Sequence, residues 1–228
     1  MKKKFLLLII ATLCIFTFTA CGNSKINLSD CLIEERNNLF IGQDSLYCAT
    51  FSSGKREENY ALDGVVNNMV DFGIVTFARL DRNPMANDNY TYIVKINDET
   101  FTGFLEKSPI DNSYSADVAT IAPDDAVVTV QVSFTGYSFS KELSNTSSEF
   151  AVDKSTALNI ANSELKTQIG NLTSNKNNKI EAVMKVLKDY SSGEVKNYYW
   201  YIGVVSTNGD TLGVLINALT GDVTAKKV

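Results

Sequence analysis

The chain is expected to fold as an all-β N-terminal domain, a β-sandwich, followed by a small α+β domain with one helix packed on an antiparallel sheet. Three observations carry this expectation. Between about residues 39 and 139, large side chains recur at every second position in short runs bounded by turn residues, the period of half-buried strands. At Asp153 the period becomes helical and holds to Gln168, where Gly170 and Asn171 stop it. Beyond that, the period of two returns for three strands and a short fourth.

The elements follow in order. Residues 1–20 form a cleavable leader: Lys2, Lys3 and Lys4 precede a continuously apolar or small stretch from Phe5 to Phe18. That stretch falls short of the roughly 20 apolar residues a membrane-spanning helix needs. The leader ends Phe18-Thr19-Ala20-Cys21, which resembles the lipobox of bacterial lipoproteins, with Phe18 where that family usually has Leu. The resemblance implies cleavage between Ala20 and Cys21, a diacylglyceryl (palmitate-type) group on the Cys21 sulfur, and a place on the outer face of a cell membrane. Two acyl chains suffice for stable anchoring at about 0.8 kcal/mol per buried CH₂. Residues 21–30 are then a polar tether. Cys14 leaves with the leader, so Cys31 and Cys48 remain as one pair in an exported protein. They form either a single disulfide or two buried thiols, and the disulfide is the expected state.

The all-β region, 31–140, contains strands at 45–52, 72–80, 90–96, 100–105, 114–121 and 126–139. Asn97-Asp98 marks a hairpin and Ala122-Pro123-Asp124-Asp125 a turn. Such a series suggests immunoglobulin-like architecture, without the Cys…Trp…Cys spacing of true immunoglobulin domains. The polar run within 141–150 reads as a linker. Residues 151–228 place Ala157, Ile160, Ala161, Glu164, Leu165 and Gln168 on one helical stripe. Ile180, Ala182, Met184 and Val186, then Tyr198, Trp200, Ile202 and Val204, then Leu212, Val214 and Ile216 alternate inward on three strands. Ser191-Ser192-Gly193 and Asn208-Gly209-Asp210 are the turns between these strands. The Ala157…Ala161 helix, Tyr199-Trp200-Tyr201-Ile202 and the ending Leu215-Ile216-Asn217-Ala218-Leu219-Thr220-Gly221-Asp222-Val223 resemble the PepSY domain. Asn217 stands where that family favours Asp, and it can still accept bonds from the turn backbone. The resemblance implies a module of the kind found in protease propeptides and envelope proteins, and brings no catalytic residue.

Composition excludes more than it assigns. There is no histidine, which removes Ser-His-Asp, Cys-His and zinc–histidine chemistry. Removing Lys2 to Lys4 leaves 18 Lys and Arg against 26 Asp and Glu, a mature charge of −8, which disfavours nucleic acid and a polybasic grip on lipid. The acidic positions Glu57-Glu58, Asp81, Asp88 and Asp124-Asp125 lie in turn-like sequence, and Asn87-Asp88-Asn89 lacks the spacing of a calcium loop. No catalytic residue, metal or cofactor is therefore assigned. Tyr199 and Tyr201, on the strand face opposite Trp200, form a candidate binding surface. The functional expectation is a non-catalytic binding or regulatory module with a protein or peptide partner in the envelope, such as a protease. A carboxylate-based envelope hydrolase and a passive cell-wall component are the alternatives.

Overall fold

A computed structural model describes residues 26–81, 83–109, 112–189 and 197–228. The expected leader, Cys14, Cys21 and the turn expected at 191–193 lie outside them. The strands are β1 (Leu32–Gln43), β2 (Tyr47–Glu57), β3 (Met69–Arg79), β4 (Tyr90–Ile96), β5 (Glu99–Lys107), β6 (Tyr114–Val118), β7 (Val128–Phe134) and β8 (Tyr137–Asn145). Helices α1 (Lys154–Glu164) and α2 (Lys166–Leu172) follow, then β9 (Ile180–Lys188), β10 (Tyr198–Ser206), β11 (Thr211–Asn217) and β12 (Val223–Lys227).

The expected sandwich with a separate α+β domain is overturned. Strands β1-β2-β3-β6-β5-β4-β7-β8 are neighbours in that order, all antiparallel, and β8 returns to β1 through Phe40↔Asn145 and Ile41↔Ser144. Eight strands thus close into a barrel, and β9 to β12 extend outside it from β1. The expected strand at 126–139 is two strands, β7 and β8, which reverse at Thr135-Gly136. The polar run after Lys141 begins inside β8.

The strand β1 belongs to both parts. Its first half runs parallel to β9, from Leu32↔Ala182 to Arg36↔Lys185. Its second half pairs with β8. Between them the β1–β2 register shifts at Arg36/Asn38, a bulge of the kind that bends a strand and increases its twist. Gly54 lies opposite Arg36 there, and a Cβ on it would come 1.9 Å from the Glu35 carbonyl oxygen. Only a residue without a side chain lets the two backbones pass so closely.

Each part has its own core. Inside the barrel, Tyr47 stacks on Phe77 at 5.0 Å between centroids, Tyr90 meets Tyr114 at 4.2 Å, and Val94, Val130 and Val132 fill the space between. An eight-stranded barrel is just wide enough for side chains to fill. On the outer sheet, Ala157, Ala161, Leu165 and Ile169 of the helices pack on Met184, Trp200, Ile202, Val214 and Ile216. Leu28, Leu32 and Leu39 belong to this second core, so the segment leading into β1 is built into it. Asp153 caps α1 by accepting from the Thr156 N–H at 2.7 Å. The helix expected through Gln168 breaks at Leu165, whose backbone leaves the helical region, and resumes as α2. Asn217 Oδ1 accepts from the N–H groups of Leu219 and Thr220 at 2.8 and 3.1 Å, the expected turn.

The Cys31–Cys48 disulfide is not formed. Cys31 immediately precedes β1, while Cys48 pairs with Gln43 at its far end. The 12 residues of β1 therefore separate the two thiols, on the order of 30–40 Å at the usual strand rise. A disulfide tolerates Cα atoms no more than about 7 Å apart.

Candidate functional site

The helices cover one face of the outer sheet; the other is covered at its Glu181 end by the loop 58–68 between β2 and β3 and is open beyond it. Alternation along β10 sends Tyr198, Trp200 and Ile202 under the helices, where the Trp200 indole N–H donates to the Val152 carbonyl at 2.8 Å. The same alternation places Tyr199 and Tyr201 on the opposite face, half-buried. Tyr201 pairs with Lys185 on one side and Leu215 on the other. Its ring lies down over the glycine pair Gly203↔Gly213, and a Cβ on Gly203 would come 2.7 Å from the Tyr201 hydroxyl. The Lys185 ammonium sits 5.5 Å from the centre of that ring, close enough for a cation–π attraction. Lys185 in turn pairs with Arg36 across β1. The predicted aromatic positions thus lie together with two cations on the part of the helix-free face beyond that loop.

A cleft of about 480 Å³ lies between the end of β9 and the barrel wall, and Arg36 and Leu187 join it to this face. The barrel side contributes Thr50, Ser52 and Thr76, which alternate outward from the aromatic interior, and the outer strands contribute Leu187 and Lys188. Arg36 and Arg79 stand in the lining. Arg36 is paired with Glu34 at 2.9 Å, and Arg79 holds Asp81. The Lys188 ammonium lies 3.2 Å from the Cys48 sulfur. Burial lowers the pKa of both Lys185 and Lys188, and Arg36 lowers that of Lys185 further. These are partly desolvated cations beside hydroxyls and aromatic rings. They suit a ligand that presents carboxylates or carbonyls and some apolar surface.

The acidic positions go elsewhere. Asp81 binds Arg79 and Asn83, and Asp88 accepts from the Thr135 N–H at 2.8 Å. Glu57 and Glu181 are buried and face a loop rather than the cleft. Glu57 accepts from the Asn67 N–H at 2.5 Å, and Glu181 accepts from those of Asp63 and Gly64 at 2.9 and 2.7 Å. Cys31 is half-buried away from the cleft, its thiol pKa raised by burial and by the charges of Asp30 and Glu181. Among the described residues, no three His, Cys, Asp or Glu side chains gather as a metal site requires.

Arg36, Lys185 and Lys188 were not singled out from sequence. Lys185 had a signal: in Ile180–Lys188 it is a cation on the face opposite Met184 and Val186, flanked by apolar residues on both sides. Arg36 had none, because it lies in a polar run that does not alternate.

The fold and site together define a class: an antiparallel barrel extended by an outer sheet, with a polar, cationic cleft at the junction. No family, curated protein or solved structure matches the chain. The resemblances to bacterial lipoproteins and to PepSY rest on the residues quoted above.

Proposed function

We propose that the protein is an extracytoplasmic lipoprotein, anchored through Cys21, that binds a segment of another protein without catalysing a reaction. The observation that carries the binding reading is the helix-free part of the sheet, beyond the loop 58–68, where Tyr199, Tyr201, Lys185 and Arg36 lie beside the cleft. An acidic or carboxylate-bearing peptide fits it, since aromatic rings supply contact area and the cations supply direction. An envelope or secreted protease is the partner class that the PepSY resemblance suggests. The two carboxylates a hydrolase would need do not converge there, because Glu57 and Glu181 are engaged by loop N–H groups.

Two measurements test the proposal. Protein expressed with its own leader partitions into the detergent phase, and Cys21→Ala stays as precursor or is shed; a membrane-bound, normally processed Cys21→Ala protein sinks the anchor. Photo-crosslinking from position 199 or 201 in native membranes captures a defined protein, and Arg36→Ala with Lys185→Ala lowers the yield at least about tenfold. Equal capture with and without the two cations sinks the binding face.

A further inference from the structure

The segment 58–68, between β2 and β3, displays its apolar side chains outward. Tyr60, Leu62, Val65 and Val66 are 60%, 37%, 44% and 37% exposed. They supply four of the ten large hydrophobic residues found exposed among the described residues. The segment is held out by two carboxylates beneath it. Glu181, fully buried, accepts from the N–H groups of Asp63 and Gly64, and Glu57, 4% exposed, accepts from that of Asn67. Gly64 is pressed on Lys179: a Cβ there would lie 2.2 Å from the Lys179 Cβ. The loop is strapped to the sheet by its backbone, so its side chains stay free for another surface.

The position of the loop decides what that surface is. Glu181 directly precedes Ala182, the partner of Leu32 at the start of β1. The loop therefore sits at the end of the molecule where the chain enters. Entry is tight: Leu28 is buried, its N–H bonds Asn162 Oδ1 of α1 at 3.0 Å, and Ile26 already packs on the outer-sheet core. Only residues 22–25 separate Ile26 from Cys21. Five residue steps span at most about 18 Å. A lipid on Cys21 keeps this end, and the loop with it, near the bilayer surface.

We infer that the loop 58–68 is a second membrane contact, whose Tyr60, Leu62, Val65 and Val66 enter the headgroup region and fix the orientation of the anchored protein. The inference rests on the lipid-anchor reading. Contact is apolar rather than electrostatic, because the loop carries Glu58 and Asp63 and no cation, with only Lys179 beside it, and the mature chain is acidic. Orientation lifts the barrel and the cleft away from the bilayer and leaves them open to a partner.

The test places a reporter tryptophan in the loop and another on the far wall of the barrel. Leu62→Trp and Phe104→Trp are both at exposed positions, and β5, which carries Phe104, lies across the barrel from β1. Trp200, 2% exposed, adds a constant background. Each variant is held on zwitterionic vesicles containing bromine-labelled acyl chains in two ways. One uses its own leader and native lipid; the other replaces Cys21 by a hexahistidine tag bound to nickel-chelating lipid. Expected is an emission at least about twofold lower for Leu62→Trp in both arms, insensitive to salt, and no quenching for Phe104→Trp. Equal quenching at the two positions, or none at position 62 with the tag, overturns the inference. If the natively expressed protein fails to float with vesicles, the lipid-anchor reading falls, and the tagged arm still decides the loop.

Discussion

The barrel and the outer sheet solve the same problem differently. The barrel turns one face of every strand inward and fills the interior with aromatic side chains, so its core needs no other layer. The outer sheet cannot close. It buries one face under α1 and α2, covers the Glu181 end of the other with the loop 58–68, and leaves the rest open, with Tyr201 folded down over its glycines. Closure removes edges and needs no second layer, and incomplete closure leaves a surface that can bind. The cleft is found where the two arrangements meet, along a strand that belongs to both.

That shared strand is the first thing to break. Trp200→Ala empties the outer-sheet core and Phe77→Ala the barrel core; each is expected to cost about 3–5 kcal/mol. Because β1 contributes Leu32 and Leu39 to one core and Phe40 to the other, both variants should lower one and the same denaturation transition. Two separated transitions in urea, each moved by only one variant, would show that the parts unfold independently. Gly54→Val acts at the junction itself. A side chain pushed against the Glu35 backbone is expected to cost up to about 3 kcal/mol and to loosen the bulge. Amide exchange should rise in both β2 and the facing part of β1; an unchanged urea midpoint would mean the bulge is not confined by this contact.

The open part of the helix-free face yields smaller effects. Tyr201→Ala removes a half-buried ring and one cation–π contact, expected to cost about 1 kcal/mol or less in stability. Its cost in partner capture should be far larger. A variant that unfolds readily yet binds normally would assign Tyr201 to structure alone. Lys185 carries a pH signature. Its folded pKa lies below its ordinary value of 10.5, so between the two values the unfolded chain binds more protons. This group therefore lowers stability below its folded pKa, and that penalty is relieved as pH rises through the window. Lys185→Met should be more stable than the parent at pH 7, and its advantage should shrink by pH 10. The comparison must be made between the two proteins, because Tyr90, pushed up to about 12 by burial and by Tyr114, and the Cys31 thiol oppose ionisation in the fold and weaken it at high pH.

Alternation made β4, β5, β7 and the inward faces of β9, β10 and β11 legible, because each has one buried and one exposed side. It did not reveal β1 or β8. In β1 the run Glu34-Glu35-Arg36-Asn37-Asn38 spends its side chains on two different neighbours and on a bulge. In β8 only Phe139 and Leu143 turn inward, so its first residues read as the end of the strand at 126–139 and its later ones as linker. Those two strands are the ones that close the barrel. The tyrosines of the candidate face could be read from β10 alone, whereas the cations beside them come from β1 and β9 and are joined to them only by register.

By itself the sequence determined the local facts: the lack of imidazole chemistry, the cap at Asp153, the turn at Asn217 and the two faces of each regular strand. These depend on neighbours within a few residues. Tertiary structure alone decided that the sheet closes, that Cys31 and Cys48 stand at opposite ends of one strand, and that an apolar loop is held outward by buried Glu57 and Glu181. The physical reason is that period two says which side of a strand is apolar but not which strand lies beside it. That choice belongs to backbone hydrogen bonds, which are the same for every residue but proline.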